Sequence, residues 1–265
     1  MNTATYLYCL ARPATGNKAP ALDKAPKGVP GAQKPRTIDA GGGLFLVAAD
    51  APLDRYGEKP IEAKLSDLDW VSSVALPHEA VVEHVSKIAT VVPMKLFTLF
   101  HSDERALEHI QKQRKRLDRL LERLDGREEW GVRMILDEVA ALRTARIEAA
   151  KSAKTAKAVK TGAAFLLRKK KEQDAAKELL QQARTRADEL FEELSTKTDD
   201  ARRRPPPPGK AGERVLLDAA FLLPRRNVKP FQTAVRAQAK KLSQHGYQLV
   251  LTGPWPPYNF VAESA

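Results

Sequence analysis

The sequence predicts an α+β fold in two domains, covering residues 1–126 and 127–265. Two observations favour this class. Along the first half, apolar patterns follow the order strand, strands, helix, strand, helix, which is typical of helices packed on one face of a small antiparallel sheet. A second series of strands and helices starts at Glu129, and a chain of 265 residues can hold two such domains.

The first strand is predicted at Thr5–Leu10, where alternate residues face one side: Tyr6, Tyr8 and Leu10. Residues 12–43 contain five prolines among Gly, Ala and Lys, so we expect a disordered surface insertion there. A short apolar strand is then expected at residues 44–48.

The middle of the first domain is predicted as a strand, a helix and a strand. The first of these strands lies within residues 68–76, with Trp70 at its start. Pro77 suits the first position of a helix, and apolar residues at helical spacing carry this helix to about Thr90. Residues 95–100 alternate as the next strand.

The last helix of the first domain is predicted between an N-cap at Ser102 and a terminating Gly126. Asp103 and Glu104 suit its first turn. Arg114 interrupts an apolar stripe that is otherwise spaced for one helix face, formed by Leu107, Ile110, Leu117, Leu121 and Leu124.

The second domain is predicted to open with a strand whose alternate residues share a face: Trp130, Val132, Met134 and Leu136. A long helical arm follows at residues 138–195, broken near Gly162. Its second helix, about Ala163–Ser195, has a coiled-coil-like stripe that packs either on its own domain or on a partner helix; the stripe comprises Ala176, Leu180, Ala183, Ala187, Leu190 and Leu194.

The remainder is predicted as a stiff proline-rich linker at residues 202–212, a central strand at 215–223, and a helix at 228–245. A last strand is expected at 247–251, followed by a tail at 252–265. The tail holds three prolines beside Trp255, Tyr258 and Phe260 in nine residues. Such a stiff aromatic run either seals its own core or presents a recognition element to a partner.

Composition places the chain among globular proteins, since 43% of residues are hydrophobic. No apolar run approaches the length needed to span a membrane, and the N-terminus does not resemble a secretory signal. Cys9 is the only cysteine, which fits a reducing cytosol and a small core residue. The expected location is therefore cytoplasmic.

Net charge is +12, which suits nucleic acid, anionic lipid or an acidic protein partner. Part of this charge is a cluster on the predicted long helix, and its candidate partner-binding residues are Arg168, Lys169 and Lys170. This cluster could meet an acidic partner or serve solubility alone. A nucleic-acid-binding protein is the alternative function, although neither a helix-turn-helix nor an RNP-type strand accompanies the charge.

Signals for catalysis are weak, and the sequence predicts no enzyme, no cofactor and no metal site. His78 and His84 stand six residues apart, so on a helix their rings point to different sides. Gly41–Gly43 precedes a strand, whereas a nucleotide-binding loop needs its glycines after a strand and before a helix. No nucleophile, base and oxyanion donors come together in the pattern.

The tail sequence TGPWPPYNF, at residues 252–260, resembles the GvpL/GvpF family of gas vesicle proteins. Other stretches match this family in the same order along the chain: ATYLY at 4–8, VVPMKLF at 91–97, EWGVR at 129–133 and TGAAFLLRKK at 161–170. Residues 12–43 are longer than the family pattern needs, and Phe165 stands where the family usually has Tyr.

The resemblance covers nearly the whole chain and has implications for fold and function. It implies an N-terminal ferredoxin-like domain and a related C-terminal α+β domain with long helices. It also implies an accessory or minor structural protein of the gas vesicle. Such a protein would bind the hydrophobic shell protein GvpA and other gas vesicle accessory proteins, support nucleation and assembly, and limit aggregation of the shell protein.

Overall fold

The computed structural model describes residues 2–14, 18–143 and 162–261 of the chain. The chain divides into two compact units. The first unit comprises Met1–Arg127 together with Trp255–Ala265, and the second comprises Glu128–Pro254. The tail from Trp255 onward thus groups with the first unit, whereas the sequence analysis assigned it to the second domain. Each unit combines a sheet with helices, so the predicted α+β class is confirmed.

The first unit contains a five-stranded sheet with the order β2-β3-β1-β4, and β5 also pairs with β1. Each of these neighbouring pairs is antiparallel. The strands are β1 Thr3–Pro13, β2 Arg36–Asp39, β3 Phe45–Pro52, β4 Ala89–Pro93 and β5 Leu99–Phe100.

A bulge in β1 corrects the predicted face of this strand. The pairing of β1 with β3 shifts register between Leu7 and Cys9, which places an extra residue in β1 and reverses the alternation beyond it. Tyr6, Tyr8 and Cys9 therefore all belong to the apolar core of the first unit. Leu10, which was expected beside the two tyrosines, is buried but lies outside this cluster.

The expectation of a disordered insertion at residues 12–43 is wrong for the residues that the structure describes. β2 lies within this range and pairs with β3. Val29 is fully buried, and its backbone N–H donates to the hydroxyl of Tyr8 at 3.0 Å. The hydroxyl of Tyr56 donates to the carbonyl of Pro30 at 2.7 Å. Composition could not reveal these contacts, because their partners are distant in sequence.

Three helices connect β3 to β4: α1 Leu53–Tyr56, α2 Glu58–Lys64 and α3 Leu68–Ser86. The strand predicted within 68–76 is wrong, because α3 already begins at Leu68. Asp67 caps α3 by accepting a hydrogen bond from the backbone N–H of Trp70 at 3.0 Å. Pro77 lies inside α3 rather than at its start. The helix ends at Ser86 instead of continuing to Thr90, since Thr90 already belongs to β4.

The strand predicted at residues 95–100 is reduced to β5. Phe97 has a φ of 63°, which turns the chain and interrupts extended backbone. The Phe97 ring stacks on the Trp70 ring at a centroid distance of 5.4 Å. Through this contact, Phe97 packs against the apolar core of the first unit.

Two helices replace the single helix predicted between Ser102 and Gly126: α4 Asp103–Lys112 and α5 Arg114–Leu124. They meet at Gln113, immediately before Arg114, the residue that interrupts the apolar stripe. The side chain of Arg114 pairs with Asp118 at 3.0 Å and donates to the Gly41 carbonyl at 2.9 Å. Most of the predicted stripe is buried: Ile110, Leu117, Leu121 and Leu124.

The second unit contains a four-stranded sheet with the order β7-β8-β6-β9. Its strands are β6 Arg127–Asp137, β7 Asp200–Arg203, β8 Glu213–Pro224 and β9 Tyr247–Trp255. The prediction that residues 215–223 form a central strand is confirmed, since β8 lies between β7 and β6. The two sheets share one strand order. If the first four strands of each unit are numbered 1 to 4 along the chain, they lie side by side in the sheet as 2-3-1-4.

Two long helices belong to the second unit: α6 Gly162–Ser195 and α7 Val228–Ser243. Residues 138–143 are helical, and the predicted helix through 144–161 lies outside the described residues. The stripe on α6 packs on its own unit through Ala183, Ala187, Leu190 and Leu194, which join the core beside β6 and β8. The predicted linker at 202–212 begins within β7, which the sequence analysis missed because its composition is polar.

Candidate functional site

An exposed row of leucines on the first unit is the most unusual apolar surface in the described part of the chain. Leu68 is 77% exposed, Leu76 is 72% exposed and Leu65 is 52% exposed. We call these three residues the leucine row. Ile88, just beyond the end of α3, is 44% exposed. Exposed large apolar side chains that recur within one short stretch of the chain, unlike a scattered single one, are candidates for a surface of protein contact.

Two members of the leucine row, Leu68 and Leu76, follow from the helical geometry of α3, whereas Leu65 lies at the end of α2. Trp70, Val74 and His78 recur every four residues and face the core, where all three are buried. Leu68 and Leu76 lie on the other side, two turns and roughly 12 Å apart along the axis. The sequence analysis missed this row because residues 68–76 were interpreted as a strand. The four-residue spacing of the buried side chains was the signal that could have found it.

The surroundings of the leucine row are acidic in a basic protein. Residues 58–86 contain six Asp and Glu and only two Lys and Arg. Asp67 and Asp69 flank Leu68 directly, and both are exposed. The row therefore presents an apolar strip with negatively charged edges.

The aromatic tail supplies one further exposed side chain beside one that is half-buried and one that is fully buried. Trp255 ends β9 and is 43% exposed. Tyr258 is half-buried and packs against the apolar core of the first unit, while Phe260 is fully buried. The two residues stand in a short 3-10 turn, Tyr258–Phe260. Of the three aromatic candidates, only Trp255 is available for contact with another molecule.

A buried polar cluster lies beneath α3 in the first unit. The hydroxyl of Tyr6 lies 2.9 Å from Nδ1 of His78, and His78 is only 3% exposed. Burial lowers the pKa of His78 to about 4, and burial raises the pKa of Tyr8 to about 12. Both groups are therefore held in their neutral forms. Such groups are inaccessible to a substrate and give the core its hydrogen-bonded interior.

The tail touches the same cluster through a carboxyl group on α3. Tyr258 faces Glu79, and burial is the main reason that the pKa of the Glu79 carboxyl is raised. Burial likewise raises the pKa of the Tyr258 hydroxyl. Burial also raises the pKa of the Cys9 thiol, which keeps it protonated and suits a small core residue better than a reactive one.

The predicted basic cluster lies in the first turns of α6, where the structure places the backbone of Arg168, Lys169 and Lys170 in a helix. The side chain of Lys170 is exposed. The side chains of Arg168 and Lys169 lie outside the described residues. Two residues after β8, a second basic surface begins at Arg226 and continues along α7. The sequence pattern does not single it out.

Two surface grooves belong to the second unit. One has a volume of about 290 Å³ and is bordered by the ion pair between Arg214 and Glu138, at 2.5 Å; its apolar lining is formed by Leu136, Leu142, Ala176, Leu179 and Leu180. The other, of about 360 Å³, lies between α6 and α7 and has charged walls. In the residues that the structure describes, no three His, Cys, Asp or Glu side chains converge as a metal site would require.

The described helices are also too polar or too short to form a membrane span. The sheet-and-helix architecture places the chain among two-sheet α+β proteins. The following comparisons with known proteins define its class more closely.

The chain is 30% identical over 259 residues to gas vesicle protein L of Streptomyces sp. (strain CB03234), covering 96% of this chain and 91% of that protein. Its fold is similar to the crystal structure of GvpF from Anabaena sp. PCC7120, with a TM-score of 0.69 at 18% identity over 99% and 98% of the two chains. GvpF from Microcystis aeruginosa gives a TM-score of 0.66 at 16% identity over 98% and 99%.

These relatives define a class of gas vesicle proteins. The family model described as gas vesicle synthesis protein GvpL/GvpF matches residues 4–262, and the chain belongs to this family. The family resemblance seen in the tail and in the shorter motifs is thus confirmed. A role in gas vesicle assembly follows from membership, and the family is not one of known enzymes.

Proposed function

We propose that this protein binds the hydrophobic shell protein GvpA before the shell forms, and that it supports nucleation and assembly of the gas vesicle. The leucine row is the observation that carries the proposal. Leu68 and Leu76 are more than 70% exposed, and water contact on such large apolar groups is unfavourable until a partner covers them. Trp255 adds an aromatic contact on the same unit.

Covering the apolar surface of an unassembled shell subunit has a direct thermodynamic effect. A factor that binds the free subunit but not its aggregate lowers the free subunit's chemical potential, so aggregation becomes less favourable by mass action. Nucleation at a chosen place then needs only local release of the bound subunit. The protein acts by contact alone in this proposal and catalyses no reaction.

The experiment compares the wild-type protein with a Leu68→Ser/Leu76→Ser double variant, each mixed with solubilised shell protein. We expect the wild type to bind and to slow aggregation measured by light scattering. The double variant should bind at least about tenfold more weakly, since burial of each leucine contributes about 1.5–3 kcal/mol. Val139→Ser is the matched control, because Val139 is 69% exposed but belongs to the second unit.

Wild-type protein that neither binds the shell protein nor changes its aggregation would contradict the proposal. Equal loss of binding in the double variant and in the Val139 control would show that the leucine row is not the binding surface. Because the substituted side chains are exposed, both variants should keep their unfolding free energy within about 0.5 kcal/mol of the wild type.

We also propose Arg168, Lys169 and Lys170 as partner contacts, but not Tyr258 and Phe260, which pack into the first unit. We also propose that the protein works in the cytoplasm at the gas vesicle, beside other gas vesicle accessory proteins.

A ferredoxin-like description is proposed for both units on the basis of their shared strand order. This description is best supported in the second unit, where helices α6 and α7 alternate with the strands in the β-α-β-β-α-β order.

A further inference from the structure

Helix α7 of the second unit carries a row of exposed cations that the proposed function leaves unexplained. Lys229, Arg236 and Lys240 are exposed, and we call them the α7 basic row. From Lys229, Arg236 is seven residues and about 700° further, and Lys240 is eleven residues and about 1100° further. All three therefore lie within about 40° of one another around the helix, over roughly 16 Å of its length.

Within the described part of the chain, none of the three side chains in the α7 basic row forms an ion pair. The sequence explains why, since residues 219–260 contain six Lys and Arg but no Asp or Glu. Helix α7 therefore has no carboxylate of its own that could pair with these cations at a spacing of three or four residues. Two acidic side chains of α6, Glu189 and Glu193, face α7 across the groove lined by Gln238 and Lys241.

Helix stability does not account for the whole row. Lys240 lies in the last turn, where a cation is favoured by the helix dipole. Lys229 lies in the first turn, together with Arg225 and Arg226 immediately before the helix, and cations at this end are unfavourable. The first turn contains no acidic residue to offset them.

We propose that the α7 basic row is a docking surface for an acidic helix of a partner protein. A partner helix with carboxylates every three or four residues repeats the spacing of Lys229, Arg236 and Lys240, so several ion pairs can form along one line. Charge complementarity of this kind sets the orientation of the partner and speeds its association. This surface belongs to the second unit and is separate from the leucine row of the first.

Two other polyanions fit the surface less well. α7 packs on its sheet through Phe231 and Val235, so it offers one flat row and no helix free to enter a DNA groove. It exposes no aromatic side chain on which a base could stack. A membrane surface is disfavoured because α7 has no exposed large apolar side chain to insert among lipid headgroups.

The test uses the full-length protein and a fluorescent synthetic helix that carries Glu at positions i, i+4, i+7 and i+11 in an alanine-rich background. A scrambled helix of equal charge is the control ligand. We expect saturable binding measured by fluorescence anisotropy, preference for the patterned helix, and weakening with added salt. Lys229→Glu/Arg236→Glu/Lys240→Glu should weaken binding by at least about tenfold.

The matched variant is Lys112→Glu/Lys115→Glu/Arg119→Glu, which changes net charge equally at exposed positions of α4 and α5. Unchanged binding by this variant supports the proposal, whereas equal weakening would attribute the effect to net charge and overturn it. If the α7 triple variant does not fold, Lys229→Gln/Arg236→Gln/Lys240→Gln replaces it and should still weaken binding. Absence of saturable binding to the patterned helix would also overturn the proposal. So would tighter α7-dependent binding to duplex DNA or to phosphatidylserine vesicles.

Discussion

At the scale of single residues, His78 shows how burial fixes a protonation state. The ring is 3% exposed and lies against the hydroxyl of Tyr6. Desolvation disfavours the imidazolium, so the pKa falls from 6.5 in the unfolded chain to about 4 in the folded protein. Between these two values the unfolded chain binds more protons than the folded one. The contribution of His78 is therefore complete above pH 6.5 and is lost as pH falls toward 4.

We therefore expect the unfolding free energy of the wild type to fall between pH 7 and pH 4.5 by an amount that a His78→Gln variant does not show. Urea unfolding at several pH values measures both proteins. The decrease in unfolding free energy over this range should be a few kcal/mol larger for the wild type than for the variant. Glu79 has a raised pKa and acts in the opposite direction, but it is present in both proteins and cancels in the comparison. Parallel pH profiles would contradict the interpretation of His78.

The sequence alone could place Tyr6 and Tyr8 in the core, but not the bulge that adds Cys9 to the same cluster. Hydrophobicity predicts burial well for an apolar strand. A bulge depends on how β1 pairs with β3, which is a long-range property. His78 was likewise a histidine without an assigned role, because its partner Tyr6 is 72 residues away.

At the scale of elements, α3 illustrates how a helix can be mistaken for a strand and a helix. Pro77 suits the first position of a helix, yet α3 begins nine residues earlier and passes through it. A proline within a helix removes one hydrogen bond, and here the buried face on both sides of it outweighs that loss. Because residues 68–76 are predicted as a strand, the sequence pattern does not show that Leu68 and Leu76 are exposed. The long helices α6 and α7 were predicted well because their apolar stripes are regular and extended.

The start of α3 depends on its cap, and this can be tested with Asp67→Ala. The Asp67 carboxylate accepts a hydrogen bond from the Trp70 N–H, which has no partner within the helix. We expect this substitution to lower the unfolding free energy by about 1 kcal/mol in chemical denaturation. The control is Asp69→Ala, because Asp69 lies two residues further along and does not cap the helix. No difference between the two variants would show that the cap contributes nothing to stability.

At the scale of the whole molecule, the sequence predicted two α+β parts but could not predict the order of their strands. Both sheets place the first strand between the third and the fourth. Pairing of this kind joins segments far apart in sequence, so local patterns do not contain it. The sequence also could not show that residues beyond Trp255 belong to the first unit, because the tail directly follows a strand of the second.

Removal of residues 256–265 should destabilise the first unit. Phe260 is fully buried and Tyr258 packs against the core of this unit. Loss of the aromatic contacts should lower the unfolding free energy by about 3–5 kcal/mol, the range for truncation of a large core side chain. Thermal unfolding of the shortened protein and of a Phe260→Ala variant measures the effect. A melting temperature unchanged in both would mean that the tail is not part of this core.

The return of the tail to the first unit has a consequence for biosynthesis. A ribosome makes residues 1–127 before the second unit, yet the first unit cannot bring Tyr258 into its interior until residues 128–254 have also been translated. The nascent polypeptide therefore carries an incomplete first unit while the whole second unit is being synthesised. Premature termination within residues 128–254 would therefore leave both units incomplete instead of sparing the earlier one.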